Sequence, residues 1–360
     1  MKYLITRSNI ESNKAFQRLM DKTQVFAQNL GRQEVIKNRL THSYEVATSA
    51  EIIASSISTS AFKADYKNSV YNVSMLHDIG HPPFGHDGAT MLSKRFKDLG
   101  VFEGFSDNNN NFVVMKKNQI KISDYELASL IKYPNKLYES QMILKDCLRK
   151  AIDEDVTYFS PFVDIEEFPK RTLSCEIMDE ADRNTYTCAD LADCYSIGIS
   201  DGQELRDILD SDKYFNTDIL EFLTAAIKAI EDKNITLIKM IFSNLKVKFN
   251  QNYYLGKNLQ LCPKDKEMQE FREELFKIDV QKYIFSDVVK SRRAVESKML
   301  EFYIDYILEN EFYPSKYYKT KIAQATSDIE KYTLIRDMIA DTTDAYVTKV
   351  YEDKYAAPNK

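Results

Sequence analysis

Turn-forming residues are scarce in this chain, and that scarcity limits its fold more than any other feature. There are 9 glycines and 8 prolines in 360 residues, each under half of ordinary usage, which is roughly 7% and 5%. Residues 203–255, 264–313 and 315–357 contain neither. Sandwiches and barrels need a turn signal about every 8–12 residues, so the scarcity argues against all-β architectures, and an all-α fold with long C-terminal helices is expected. Val288, Val295, Met299, Phe302, Tyr303 and Tyr306 recur at helical steps and predict a core-facing stripe. One place reads as extended. Residues 112–115 and 119–122, either side of Lys116-Lys117-Asn118, predict a small β-hairpin. The polar runs 106–111 and 256–265 read as loops, and Ser123 with Glu126 has the spacing of a capping box that restarts a helix.

Composition narrows the function. Apolar residues are 44% and charged residues 29%, as in a globular chain able to bury a large core without staples. A net charge of −6, from 49 basic and 55 acidic residues, argues against a chain-wide nucleic-acid footprint and leaves room for a local basic pocket. The five cysteines, an odd number without CxxC spacing, predict no disulfide framework and a cytoplasmic setting. The apolar run after Lys2 is too short for a signal-peptide core, and nothing approaches the length of a membrane span.

Chemistry concentrates in one word. The chain has 4 histidines, His42, His77, His81 and His86. Three of them fall in His77-Asp78-Ile79-Gly80-His81-Pro82-Pro83-Phe84-Gly85-His86, a clustering that scattered core or surface histidines would not give. Imidazole plus carboxylate suits Mn, Fe, Co, Zn or Mg, but His77 and Asp78 alone are too few. His42 starts a helix carrying Val46, Ile53 and Ile57 on one face. A further carboxylate should come from a distant helix, and 176–190 is the best candidate. There Asp182, Tyr186 and Asp190 are spaced i, i+4, i+8 on one face; a solvated acidic stripe would show the same spacing.

These words resemble a family. Residues 16–26, Arg39-Leu40-Thr41-His42-Ser43 and the 77–88 word, with a downstream Asp, look like bacterial deoxyguanosine triphosphate triphosphohydrolases, HD-domain relatives of the SAM-and-HD-domain dNTPase. The resemblance is strongest over 14–105 and 170–195. It implies an HD phosphohydrolase core over 1–255 and a C-terminal helical subdomain over 256–360 packed on it as one unit. It implies one divalent ion (Mn, Fe, Co or Mg) held by His42, His77, Asp78 and Asp182, with additional Mg arriving on the nucleotide. Arg39 and Arg183 match positions facing the triphosphate, Gln24 and Asp190 positions at the sugar 3′-hydroxyl, and Tyr186 the ring packed where a 2′-hydroxyl would project. His86 matches the proton-transfer histidine at the scissile phosphate, with His81 beside it. The implied reaction is hydrolysis of a dNTP, dGTP or a broader set, to deoxynucleoside and triphosphate. A homo-oligomer is expected, with room for an allosteric nucleotide or a nucleic-acid regulator.

The sequence departs from the family pattern at three places. Ala89 stands where the family has an acid paired with the histidine, making Asp87 or Glu103 the substitutes to consider. The run 108–111 replaces the family's Gly-Asn-x-Gln stretch, and Ala189 replaces a frequent His. Two other functions fit the same ligands: an HD phosphohydrolase on nucleoside monophosphates or cyclic nucleotides, and a non-catalytic nucleotide-sensing HD protein.

Overall fold

The computed structural model describes residues 2–23, 37–57 and 64–356. Within them the chain is almost wholly helical. Helices α1 (Lys2–Glu11) and α2 (Lys14–Gln17) lead to α3 (Arg39–Ser56) and α4 (Ala64–Leu76). Then come α5 (Gly85–Asp98), α6 (Asp107–Lys117), α7 (Asp124–Ser129), α8 (Leu144–Phe159) and the long α9 (Leu173–Ser196). Helices α10 (Gln203–Asp210), α11 (Thr217–Glu231) and α12 (Ile235–Gln251) precede a two-stranded antiparallel hairpin, β1 (Tyr253–Leu255) and β2 (Leu261–Pro263). The chain closes with α13 (Lys266–Ile278), α14 (Asp287–Asn310), α15 (Lys316–Ile322), α16 (Asp328–Ala340) and α17 (Asp344–Tyr351).

Helices α3, α4 and α9 pack against one another and form the frame of the site. The starts of α3 and α9 are fixed locally. The Asn38 side chain caps α3 by accepting from the Thr41 amide, and Thr172 caps α9 by accepting from Cys175. Val46, Ala50, Ile53 and Ala54 of α3 meet Ile177 and Ala181 of α9 in one cluster, while Ala47 joins Val73, Leu76 and Met178 in another. Small residues at 47, 50, 54 and 181 let these helices approach closely enough for side chains on all three to meet.

The C-terminal half is joined to this frame through its cores. Met268, Phe271, Leu275 and Ile278 of α13 pack with Leu223, Phe242 and Phe249 across the expected boundary at 255. Leu92 and Phe96 of α5 share a cluster with Leu300, Tyr303 and Ile304 of α14 and with Met338, Ile339 and Val347 near the end of the chain.

Three local expectations need correction. The hairpin expected over 112–122 is instead helix α6: Ser106 caps it by accepting from Asn109, and the helical turn puts Phe112, Val114 and Met115 inside. A hairpin instead spans Tyr253–Pro263, its second strand falling within the 256–265 stretch that reads as a loop and its turn closed by Gly256 and Gln260. On α14, Tyr303 is buried, but Val288 and Val295 are largely exposed; the buried line runs through Val289, Leu300, Tyr303, Ile304 and Ile307. The capping box at Ser123 and Glu126 is present.

Candidate active site

His77 and Asp78 lie in the turn just beyond α4 rather than on a helix. A buried ladder of side-chain amides fixes that turn. Asn111 donates to the His77 carbonyl and accepts from the Gly80 amide, and Asn110 donates to the Gly80 carbonyl. The four-asparagine run is therefore the first turn and a half of α6, pressed against the 77–80 turn. A side chain at Gly80 would collide with the backbone of Asp107, Asn110 and Asn111, so only glycine allows this approach.

Four side chains converge from three directions. His42 Nε2, from the first turn of α3, is 3.0 Å from Asp182 Oδ1 of α9 and 4.0 Å from Asp78 Oδ2. His77 Nε2 is 3.3 Å from Asp78 Oδ1 and 3.6 Å from Asp182 Oδ1. These spacings fit a shared cation: donors bound at about 2.1 Å to one ion sit about 3.0–3.4 Å apart. His77 Nδ1 donates to the Ser74 carbonyl at 2.7 Å, which points Nε2 at the carboxylates. That buried Nε2 has no hydrogen-bond partner. The residues present thus fit a divalent ion, and His42, His77 and Asp78 have ligand atoms close enough together to hold one.

The electrostatics match. Burial alone would lower the pKa of His77, yet Asp78 and Asp182 raise it to about 9. Burial opposes ionisation of Asp78 and Asp182, but His77 holds both well below the usual carboxylate range, helped at Asp78 by His81 and Arg39 and at Asp182 by His42 and Lys132. The pocket therefore holds two carboxylates and a positive imidazole whose place a metal ion takes in charge terms.

A second cluster adjoins the first. His81 Nδ1 is 3.3 Å from Asp78 Oδ1, and its Nε2 is 3.1 Å from Asp107 Oδ2. Burial, with Arg39, pushes His81 down to about 3. His86 Nδ1 is 3.4 Å from the same Asp107 oxygen, and the His86 side chain is 80% exposed. Asp107, the first residue of α6, thus contacts both histidines, a place that neither Asp87 nor Glu103 fills. Asp87 pairs with Arg293 at 3.0 Å, and Glu103 accepts from the Glu139 amide.

Arg39, His77, Asp78, His81, His86, Asp107, Lys132, Asp182 and Tyr186 all border one cleft of about 280 Å³. Arg39 is buried and donates to Asp78 at 2.6 Å. Lys132 sits 3.5 Å from Asp182 and 2.6 Å from Asp179. Tyr186 packs its ring 6.0 Å from Phe276. Three expected site residues are not brought to this wall. Arg183 turns to Glu273 of α13 at 2.6 Å. Asp190 is buried further along α9, its pKa raised by burial and by Asp193, and Asp87 points to α14. Gln24 lies outside the described residues.

Two cleft residues escaped the sequence reading. Asp107 was hidden in a run taken for a loop; its one signal was the Ser106-to-Asn109 capping spacing. Lys132 had no signal, because only the fold brings it beside α9.

Residues 39–183, which carry α3, α4, the first part of α9 and most of the cleft residues, match the HD domain family. Similarity along the chain is more particular. It is 26% identical to a deoxyguanosinetriphosphate triphosphohydrolase-like protein of Leptospira interrogans, covering 96% of this chain and 87% of that protein. A second such protein, from Deinococcus radiodurans, is also 26% identical, covering 96% and 90%. One from Rickettsia typhi is 30% identical over 58% of this chain and 51% of its own length. The chain is helical, contains a stretch that matches the HD domain, and is similar along its length to deoxyguanosinetriphosphate triphosphohydrolase-like proteins. No helix among the described residues is long and apolar enough to cross a membrane.

Proposed function

We propose that this protein hydrolyses deoxynucleoside triphosphates at the α-phosphorus, releasing deoxynucleoside and inorganic triphosphate. The supporting observation is the convergence of His42 with His77, Asp78 and Asp182, the last three lining a cleft that also holds Arg39, Lys132 and the exposed His86. A divalent ion (Mn, Fe, Co or Mg) held by those four residues would polarise the α-phosphoryl group and activate water.

The chain's own residues supply the rest. Lys132 and the rim of Arg39 bring positive charge to the phosphoryl oxygens, where negative charge grows in the transition state. The bond from phosphorus to O5′ breaks, and His86 hands a proton to the departing O5′. Asp107 holds the His86 ring by Nδ1, leaving Nε2 to face the cleft. Tyr186, one helical turn beyond Asp182, presents its ring to the sugar and leaves no room for a 2′-hydroxyl. Asp190, Gln24 and Arg183 retain the sugar and phosphate roles implied by the family resemblance only if the bound nucleotide draws them in.

The test is incubation of metal-supplemented protein with each dNTP, separating nucleoside, mono-, di- and triphosphate products. Triphosphate plus nucleoside is the expected pair. Monophosphate plus pyrophosphate, or turnover only of monophosphates or cyclic nucleotides, refutes the reading.

A further inference from the structure

The turn between α16 and α17 clasps the catalytic loop from behind. Arg18 donates both to Asp341 and to the Ile79 carbonyl, each at 2.6 Å. Lys22, fully buried, donates to the carbonyls of His81 and Ala340. Lys117 of α6 also pairs with Asp341. Asp344 reaches the loop directly. Its Oδ1 accepts the Phe84 amide at 3.0 Å, and its Oδ2 accepts the Thr23 amide at 2.8 Å and the Thr23 hydroxyl at 2.7 Å.

The bond to Phe84 falls at an unusual backbone position. Phe84 and Gly85 are consecutive left-handed residues, both with φ of 60°, and His86 follows them. A phenylalanine adopts that conformation only where its surroundings over-determine it. Two constraints do so here: the ring is buried against the α5–α14 cluster, and the amide is held by a buried carboxylate. Phe84 has no side-chain cap of its own to start α5. The direction in which His86 leaves the turn therefore depends on a residue about 260 positions away in sequence.

We propose that Asp344 is a positioning residue for His86: its carboxylate locks the left-handed Phe84–Gly85 turn from which the histidine reaches the cleft. The inference rests on the proton-transfer role proposed above for His86. Asp344 touches none of the four metal-site residues, so its loss should leave metal content intact while moving the histidine.

The experiment is a double-mutant cycle in the full-length, metal-loaded protein with Asp344→Ala, His86→Ala and the pair. Turnover, KM, metal content, melting temperature and amide exchange of the 79–90 segment are all measured. Asp344→Ala should lower kcat by about 10- to 100-fold, the scale of loss from misplacing a reacting group by about an ångström. KM and metal content should hold, and exchange at 84–86 should speed up. In the His86→Ala background the same substitution should cost nothing further. Asp344→Asn keeps the shape and one acceptor; it should give the same ordering with a smaller loss if the alanine variant does not fold.

Equal losses in both backgrounds, or unchanged exchange at 84–86, overturns the positioning role while leaving the proposed reaction untouched. Wild-type turnover in His86→Ala removes the role of the histidine itself, and the role of Asp344 with it.

Discussion

His77 links metal uptake to pH in a way that can be worked out from its surroundings. Burial disfavours its charged form, but Asp78 and Asp182 more than compensate and raise it to about 9 in the metal-free protein. A metal ion displaces the proton on Nε2, so binding at pH 7 must first remove a proton held about two units too tightly. That proton weakens binding near neutral pH and the penalty fades as pH rises towards 9. Affinity for Mn²⁺ should therefore rise about tenfold per pH unit between 7 and 9 and level off above.

The stability of the metal-free protein carries the opposite sign. Its His77 pKa lies above the unfolded value, so the stabilisation is complete below about 6.5 and is lost as pH rises through about 9. The assay is competition with a chelator of known affinity at pH 6.5 to 8.5 without oxygen, with proton release followed in parallel and melting curves of metal-free protein over the same range. About one proton should leave per ion near pH 7.5. An affinity that stays flat with pH, with no proton released, refutes the placement of His77 Nε2 on the metal.

Further outcomes follow from the same geometry. His86→Ala should lower turnover by about 10² to 10⁴ with metal content unchanged, and Asp107→Asn should follow it in the same direction with a smaller loss; wild-type rates in both remove this pair from the reaction. Tyr186→Ala should narrow the preference for deoxyribo- over ribonucleotides, measured as the ratio of kcat/KM values, and a wild type that hydrolyses both equally removes the ring from sugar selection. Gly80→Ala should destabilise the fold by about 1–3 kcal/mol or more, read as a lower denaturant midpoint, because the neighbouring α6 backbone cannot yield; an unchanged midpoint contradicts the close approach.

The fold class was readable from the rarity of glycine and proline, because long helices need neither. His42, His77-Asp78 and Asp182 were legible from the clustered histidines and the family words around them rather than from helical period, since His77 and Asp78 lie in a turn. What failed was local and had one cause. Four successive asparagines look like a loop by propensity, since their side chains usually compete with the backbone. Here those side chains bond the 77–80 turn instead, and tertiary partners overrode the local preference. Phe112 to Met115 likewise read as strand because a short apolar run carries no period of its own. Lys132, Asp107 and Asp344 depend on contacts across long stretches of sequence, which spacing alone does not encode.

The division of the cores also decides what could be cut away. The metal-site residues stand on α3, α9 and the turn after α4, which pack on one another. His86 stands on α5, whose apolar face is covered by α14, α16 and α17. The stretch that matches the HD domain ends at residue 183, so it contains α5 but nothing from the C-terminal helices that support it. A fragment trimmed to that stretch would keep His42, His77, Asp78 and Asp182 and leave His86 on a helix with Leu92 and Phe96 bare to water. The stretch recognised by sequence therefore leaves out the helices that cover the apolar face of α5, on which His86 stands.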